Sequence, residues 1–253
     1  MKRTLFAGAI AVTIASPALA ADLPAAPPPR APATYVPVVA PVYNWGGVYI
    51  GLNGGGSWFS QANSTFTYSA TGATSSGQSL NDSGFAAGGQ LGVNFQSSQW
   101  VFGIEGDADY LSNKQTISTA ADFLGGAVTH TYTLDFLSTV RGRLGFAWDR
   151  ALIYGTGGLA MADYKIQRSQ TTTGLAPAGT SQTMSDFRFG WAAGAGLEYA
   201  FSDMITGRVE YLVAGLESVN NTYNFASGNV TQNAPTAYVN MVRGGLNFKF
   251  GGF

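Results

Sequence analysis

The chain has 253 residues and a formal charge of −1, and only 11% of its side chains are charged, against about 25% in an average soluble domain. Glycine (34 residues) and aromatics (13%) are abundant instead, which suits a surface facing lipid better than one facing water. The absence of cysteine and the single histidine, His130, exclude thiol catalysis, a disulfide scaffold and clustered thiolate or imidazole metal sites, and without a basic stripe no nucleic-acid partner is expected.

Residues 1–20 read as a secretory signal peptide. Lys2 and Arg3 form its basic start, Leu5 to Ala15 its apolar stretch, and Ala18-Leu19-Ala20 its small-residue cleavage site. The apolar stretch is too short to span a bilayer as a helix, and no later segment offers the roughly 18 apolar residues a spanning helix needs. Residues 21–44, with the run Pro27-Pro28-Pro29, read as an extended periplasmic tail. From Trp45 to Phe253 the pattern changes to alternation.

Eight segments in that region read as strands: Val48 to Trp58, Gly84 to Phe95, Trp100 to Leu111, Tyr132 to Ala147, Ala151 to Tyr164, Asp186 to Phe201, Met204 to Gly215 and Thr236 to Phe250. Gln96 to Gln99, Trp148 to Arg150 and Ser202-Asp203 are short connections. Residues 59–83, 112–131, 165–185 and 216–235 are long ones, rich in Ser, Thr, Gly and Asn. A leucine followed four residues later by an aromatic recurs at Leu91–Phe95, Leu144–Trp148, Leu197–Phe201 and Leu246–Phe250. On a strand those two residues share a face. Together these features predict an all-β fold, an eight-stranded antiparallel up-and-down transmembrane β-barrel with short periplasmic turns and long extracellular loops. An even strand number places both termini on the periplasmic side of a Gram-negative outer membrane.

A charge facing lipid near the bilayer midplane costs about 2–4 kcal/mol for Arg or Lys, so strand charges are expected on one parity only. Glu105, Asp107 and Asp109 alternate with Phe102, Ile104 and Tyr110. Asp135, Arg141 and Arg143 alternate with Phe136, Val140 and Leu144, and Arg188 and Glu198 with Phe189, Trp191 and Leu197. Arg208 and Glu210 alternate with Val209 and Tyr211, and Arg243 and Lys249 with Val242, Leu246 and Phe248. The strand from Ala151 is ambiguous: placing Asp163 inside turns Ile153, Leu159 and Met161 inward and Tyr154 and Tyr164 outward. Glu105, Asp107, Asp109, Arg141, Arg143, Glu198, Arg208, Glu210 and Arg243 are therefore expected to form an ion-pair network in the lumen, with Arg243 and Lys249 reaching toward Asn53. An eight-stranded barrel has room inside only for side chains, so the expectation is a plugged lumen. Trp45, Trp100, Trp148, Phe95, Phe201 and Phe250 are expected at the turn-side lipid boundary, and Trp58 and Tyr110 at the other.

Four stretches carry a family resemblance: Trp45-Gly-Gly-Val-Tyr-Ile-Gly-Leu-Asn-Gly-Gly55, Val140-Arg-Gly-Arg-Leu-Gly-Phe146, Tyr154-Gly-Thr-Gly-Gly-Leu-Ala160 and Val242-Arg-Gly-Gly-Leu-Asn-Phe-Lys-Phe250. The chain resembles the porin-like small outer-membrane proteins of alphaproteobacteria, which have an OmpA-like transmembrane fold and include surface antigens and hemin-binding members. The resemblance implies contact with outer-membrane lipid and lipopolysaccharide, and insertion by the barrel assembly machinery through a terminal aromatic, Phe250 or Phe253. It leaves a structural envelope role, a narrow porin and a ligand-binding surface protein as alternatives. No cofactor is required by the residues; hemin is the one the resemblance raises, with His130, in the second long connection, as its candidate ligand. An enzyme is not expected, because a serine mechanism would have to pair His130 with Ser138, about 26 Å away along a strand.

Overall fold

The computed structural model describes residues 43–119, 126–170, 179, 181–225 and 228–251. The signal peptide, nearly all of the Pro-rich tail and Phe253 lie outside the described residues.

Eight long strands are β1 (Gly47–Gln61), β4 (Leu80–Ser97), β5 (Trp100–Thr119), β6 (Val128–Trp148), β7 (Ala151–Gln170), β8 (Ser181–Ala200), β9 (Ile205–Leu216) and β12 (Ala237–Phe250). They close an antiparallel barrel in the order β1-β12-β9-β8-β7-β6-β5-β4. Each contains most of one segment read from the alternation. The seam joins first to last strand, from Val48 opposite Phe250 to Gln61 opposite Ala237. At its base Gly47 has φ +131°, and a Cβ there would lie 2.3 Å from the Gly251 carbonyl oxygen, so the chain passes only because Gly47 has no side chain.

The short connections are tight. Ser97 pairs with Trp100 and Trp148 with Ala151, leaving two-residue turns in which Ser98 (φ 56°) and Asp149 (φ 48°) take the left-handed conformation. The long connections differ from the expected irregular loops. Residues 112–119 and 128–131 continue β5 and β6, and residues 165–170 and 181–185 continue β7 and β8, so these four strands have 20 or 21 residues. The other two long connections fold into β2 (Thr65–Tyr68), β3 (Thr74–Ser76), β10 (Val219–Phe225) and β11 (Gly228–Ala234), a second sheet in the order β10-β11-β2-β3. β11 pairs with β2 from Val230 opposite Tyr68 to Asn233 opposite Thr65, clasping the first long connection to the last.

Side chains alternate about the barrel wall. Leu52, Leu91, Ile104, Val140, Leu159, Phe189, Leu197, Val209 and Leu246 face outward and are exposed, as are Trp100, Trp148, Phe95, Phe201 and Phe250 near the short turns. The interior is layered. Tyr43, Trp45, Val101, Ala147, Leu152, Tyr154 and Ala200 pack at the turn end, and Leu111, Leu137, Ala160, Leu212 and Met241 begin a larger apolar cluster at the other end. Charged residues lie between them on the same strands, for example Glu105, Asp107 and Asp109 between Val101 and Leu111. Tyr68, Tyr223 and Val230 form a third cluster under the second sheet.

Three expectations about facing are corrected. On β7, Tyr154 and Tyr164 are buried inside while Ile153 (47% exposed) and Leu159 (72%) face out, and Asp163 lies on the outer face. Its charge marks the rim, where the wall has left the hydrocarbon, and not the lumen. Asp135 is an extra residue between the pairs Leu134–Tyr164 and Phe136–Asp163; this bulge reverses the parity of β6, so both Leu134 and Leu137 point inward and Asp135 does not join Arg141. Trp45 is no lipid-boundary residue either. Only 1% exposed, it lies inside the turn-end mouth, its Nε1–H donating to the Asp149 carbonyl at 3.0 Å.

Candidate functional site

The central layer of the interior is where chemistry-bearing side chains converge. β5 contributes Glu105, Asp107 and Asp109, β6 Arg141 and Arg143, β8 Glu198, β9 Arg208 and Glu210, and β12 Arg243; none is more than 5% exposed. Period-two geometry sends all nine inward, and small residues opposite them make room: a Cβ on Gly88 would sit 2.2 Å from Asp109 Oδ1.

These side chains form one connected network. Arg141 donates to Glu105 (2.8 Å), Asp107 (2.7 Å) and Glu210 (2.5 Å). Arg243 donates to Asp109 (2.5 Å), to Asp107 (3.2 Å) and to Glu210 (3.1 Å). Arg143 pairs with Glu198 and approaches Glu105 at 4.0 Å. Arg208 pairs with Glu105 and approaches Glu210 at 3.5 Å. In the ring order β9 and β5 are four strands apart in either direction, so the Arg208–Glu105 pair crosses the full width of the barrel. Five carboxylates meet four guanidiniums, and the low-dielectric surroundings strengthen each contact as they raise the cost of any group left alone.

Neutral groups complete the layer. Tyr49 donates its hydroxyl to Glu105 (2.6 Å), Thr139 to Asp107 (2.7 Å), and Asn247 its amide to Glu198 (2.8 Å), while Thr206 also donates to Glu198. Gln90 bridges Asn53 and Asn247 at 2.7 and 2.8 Å. The Arg143 guanidinium stacks 3.8 Å from the centre of the Tyr154 ring. Thr139, Thr206 and Asn247 share the parity of the charges on their strands and are legible that way. By contrast, β1 has no charge to mark Tyr49 and Asn53, and Tyr154 has the parity opposite to Asp163, which is why it was expected outside.

Other candidates fall elsewhere. Lys249 donates to the Asn44 carbonyl at the turn-end mouth and lies 4.3 Å from the Tyr43 ring, away from Asn53. His130 sits on the extension of β6 rather than in a loop, stacked near Tyr132 (6.1 Å) and Phe66 (5.8 Å); burial, and then Arg168, push its imidazole down to about 4. Ser138 turns its hydroxyl to the Asp107 carbonyl (2.9 Å) and does not meet His130. Phe250 is exposed on the outer face of β12.

A closed ring of antiparallel strands with an apolar exterior and a charged interior is a membrane-spanning architecture. The model of the outer membrane protein beta-barrel domain family matches residues 10–250. The chain belongs to that family. This outer membrane β-barrel protein is 35% identical to the 31 kDa outer-membrane immunogenic protein of Brucella melitensis over 99% of its own length and 100% of the relative's. It is 31% identical to the 25 kDa outer-membrane immunogenic protein of Brucella abortus, over 99% of both chains. Against the 22 kDa outer membrane protein of Rhizobium leguminosarum it is 30% identical, over 66% of this chain and 67% of that one. The β-barrel is therefore placed in the outer membrane of a Gram-negative cell, short turns toward the periplasm and the second sheet outside.

Proposed function

We propose that this protein is a structural, surface-exposed element of the outer membrane whose lumen is closed to solutes. The observation that carries this reading is the pair between Arg208 and Glu105, which ties opposite walls together at mid-height. The apolar clusters on either side of the network support it, with Trp45 and Leu152 packed at the turn end and Leu111, Leu137 and Met241 at the other. The clasp of β2 on β11 and the relatives named as immunogenic proteins support an exposed, antigenic cap. Planar-bilayer recording of the purified protein tests the closed lumen: no steady conductance is expected, and reproducible open-state current would overturn it in favour of a narrow pore. Phe250 is our assignment for the terminal aromatic read by the assembly machinery. Deleting residues 251–253 should leave the yield of heat-modifiable protein unchanged, and loss of that yield would move the signal to Phe253.

A further inference from the structure

Among the described side chains of the barrel strands, the outer wall carries charge in one place: Lys114 on β5, Asp135 on β6, and Asp163 and Lys165 on β7. Register gathers them. Lys114, Thr133 and Lys165 share one rung across three neighbouring strands. A rung below, Tyr110, Phe136, Asp163 and Phe187 lie side by side, and their three aromatic rings are exposed.

That aromatic rung sets the height. Such rings favour the headgroup level of the bilayer. On β7 the lysine rung stands two residues above them, from Asp163 to Lys165, about 5 Å higher along the membrane normal once strand tilt is included. On β5 the same step, Tyr110 to Lys114, spans the register shift. Both lysines have stems long enough to bring their ammonium groups down to the headgroups. Lys165 is held outward by Asp135 at 2.9 Å and Asp163 at 3.1 Å, whereas Lys114 has no acidic partner among the described residues. The strands are about 4.8 Å apart, so the two lysine backbones stand about 10 Å from each other with Thr133 midway between them. Above this rung the outer wall is lined with hydroxyls and an amide: Thr116 with Thr131 (3.3 Å), Ser118 with Thr129 (3.1 Å) and Gln167 with Ser181 (3.3 Å). A headgroup that ended at its phosphate would leave those groups to water, while a phosphorylated saccharide would continue along them.

We propose that this rung binds the phosphorylated sugar headgroup of an outer-leaflet glycolipid, with Lys114 and Lys165 on the phosphate. Asp135 and Asp163 repel an anion on their side of Lys165, which confines the phosphate to the space over Thr133 and leaves the carboxylates to accept sugar hydroxyls. The inference rests on the outer-membrane placement and not on the closed lumen, so a barrel that conducts current leaves it standing.

Native mass spectrometry of the full-length barrel in detergent, titrated separately with bisphosphorylated lipid A, dephosphorylated lipid A and phosphatidylglycerol, tests it. Bisphosphorylated lipid A should bind about tenfold more tightly than either of the others, and Lys114→Gln should remove that preference while Lys114→Arg keeps it. Lys114→Gln breaks no ion pair among the described residues, and heat-modifiable migration reports that the variant is folded. Equal binding of the dephosphorylated lipid, phosphatidylglycerol binding as tight as lipid A, or an unaffected Lys114→Gln variant would each overturn the assignment.

Discussion

Arg141 touches three carboxylates at once, and its removal would leave Glu105, Asp107 and Glu210 short of a donor in a layer without exposure to water. Arg141→Ala should destabilise the barrel by about 3–5 kcal/mol, read as a lower midpoint for heat-modifiable migration in detergent. Arg150 makes a comparison, because its pair with Asp203 is exposed at 3.4 Å; Arg150→Ala should cost less than about 1 kcal/mol. An equal effect of the two would mean that the lumen is hydrated. His130 supplies a pH signature. Its folded pKa of about 4 lies below the ordinary 6.5, so between those values the unfolded chain binds more protons and acid weakens the fold. Stability should fall as pH drops from about 6.5 to 4, and His130→Phe should flatten that part of the curve. At this scale the lumen charges were legible because lipid excludes them from one parity. Trp45 was not, since an aromatic beside a strand start suits a membrane boundary as well as a plugged mouth.

At the scale of the element, bulging out Asp135 keeps one face of β6 inward although the residue numbers on that face change from odd to even. Deleting it would restore plain alternation, with Phe136 out, Leu134 in, Thr133 out and Tyr132 in, so both faces keep the residues they have now. We expect the deletion variant to lose only the bulge and the Asp135–Lys165 pair and to keep the parent's protease resistance above Phe136; new cleavage there would show that the upper wall needs the extra residue. A bulge leaves almost no mark in sequence, because one added residue looks like ordinary variation. The eight barrel strands were legible because period-two alternation over a dozen residues is a strong signal. β2, β3, β10 and β11 are short and rich in Ser, Thr and Asn, and their order depends on pairing between segments some 160 residues apart, such as Tyr68 with Val230. Nothing local encodes such a pairing.

For the whole molecule, the interior is three layers in series. Trp45 belongs to the turn-end cluster, its backbone N–H donating to Gln96 and its indole N–H to the Asp149 carbonyl. Trp45→Ala should therefore cost about 3–5 kcal/mol through the cavity it leaves without producing conductance in a planar bilayer. Current in that variant alone would mean that the mouth, and not the network, closes the barrel.

The sequence by itself determined the number of barrel strands, their all-β class, the lipid-facing parity and the charges that avoid it. All of these follow from one solvent rule applied at every second residue. Tertiary structure decided which arginine meets which carboxylate, that Arg208 spans the ring to Glu105, that Asp163 stands at the rim, and that distant connections pair above the membrane. The reason is closure: until the first strand meets the last, no residue has an opposite wall, and contacts across a lumen cannot be read from neighbours along a chain.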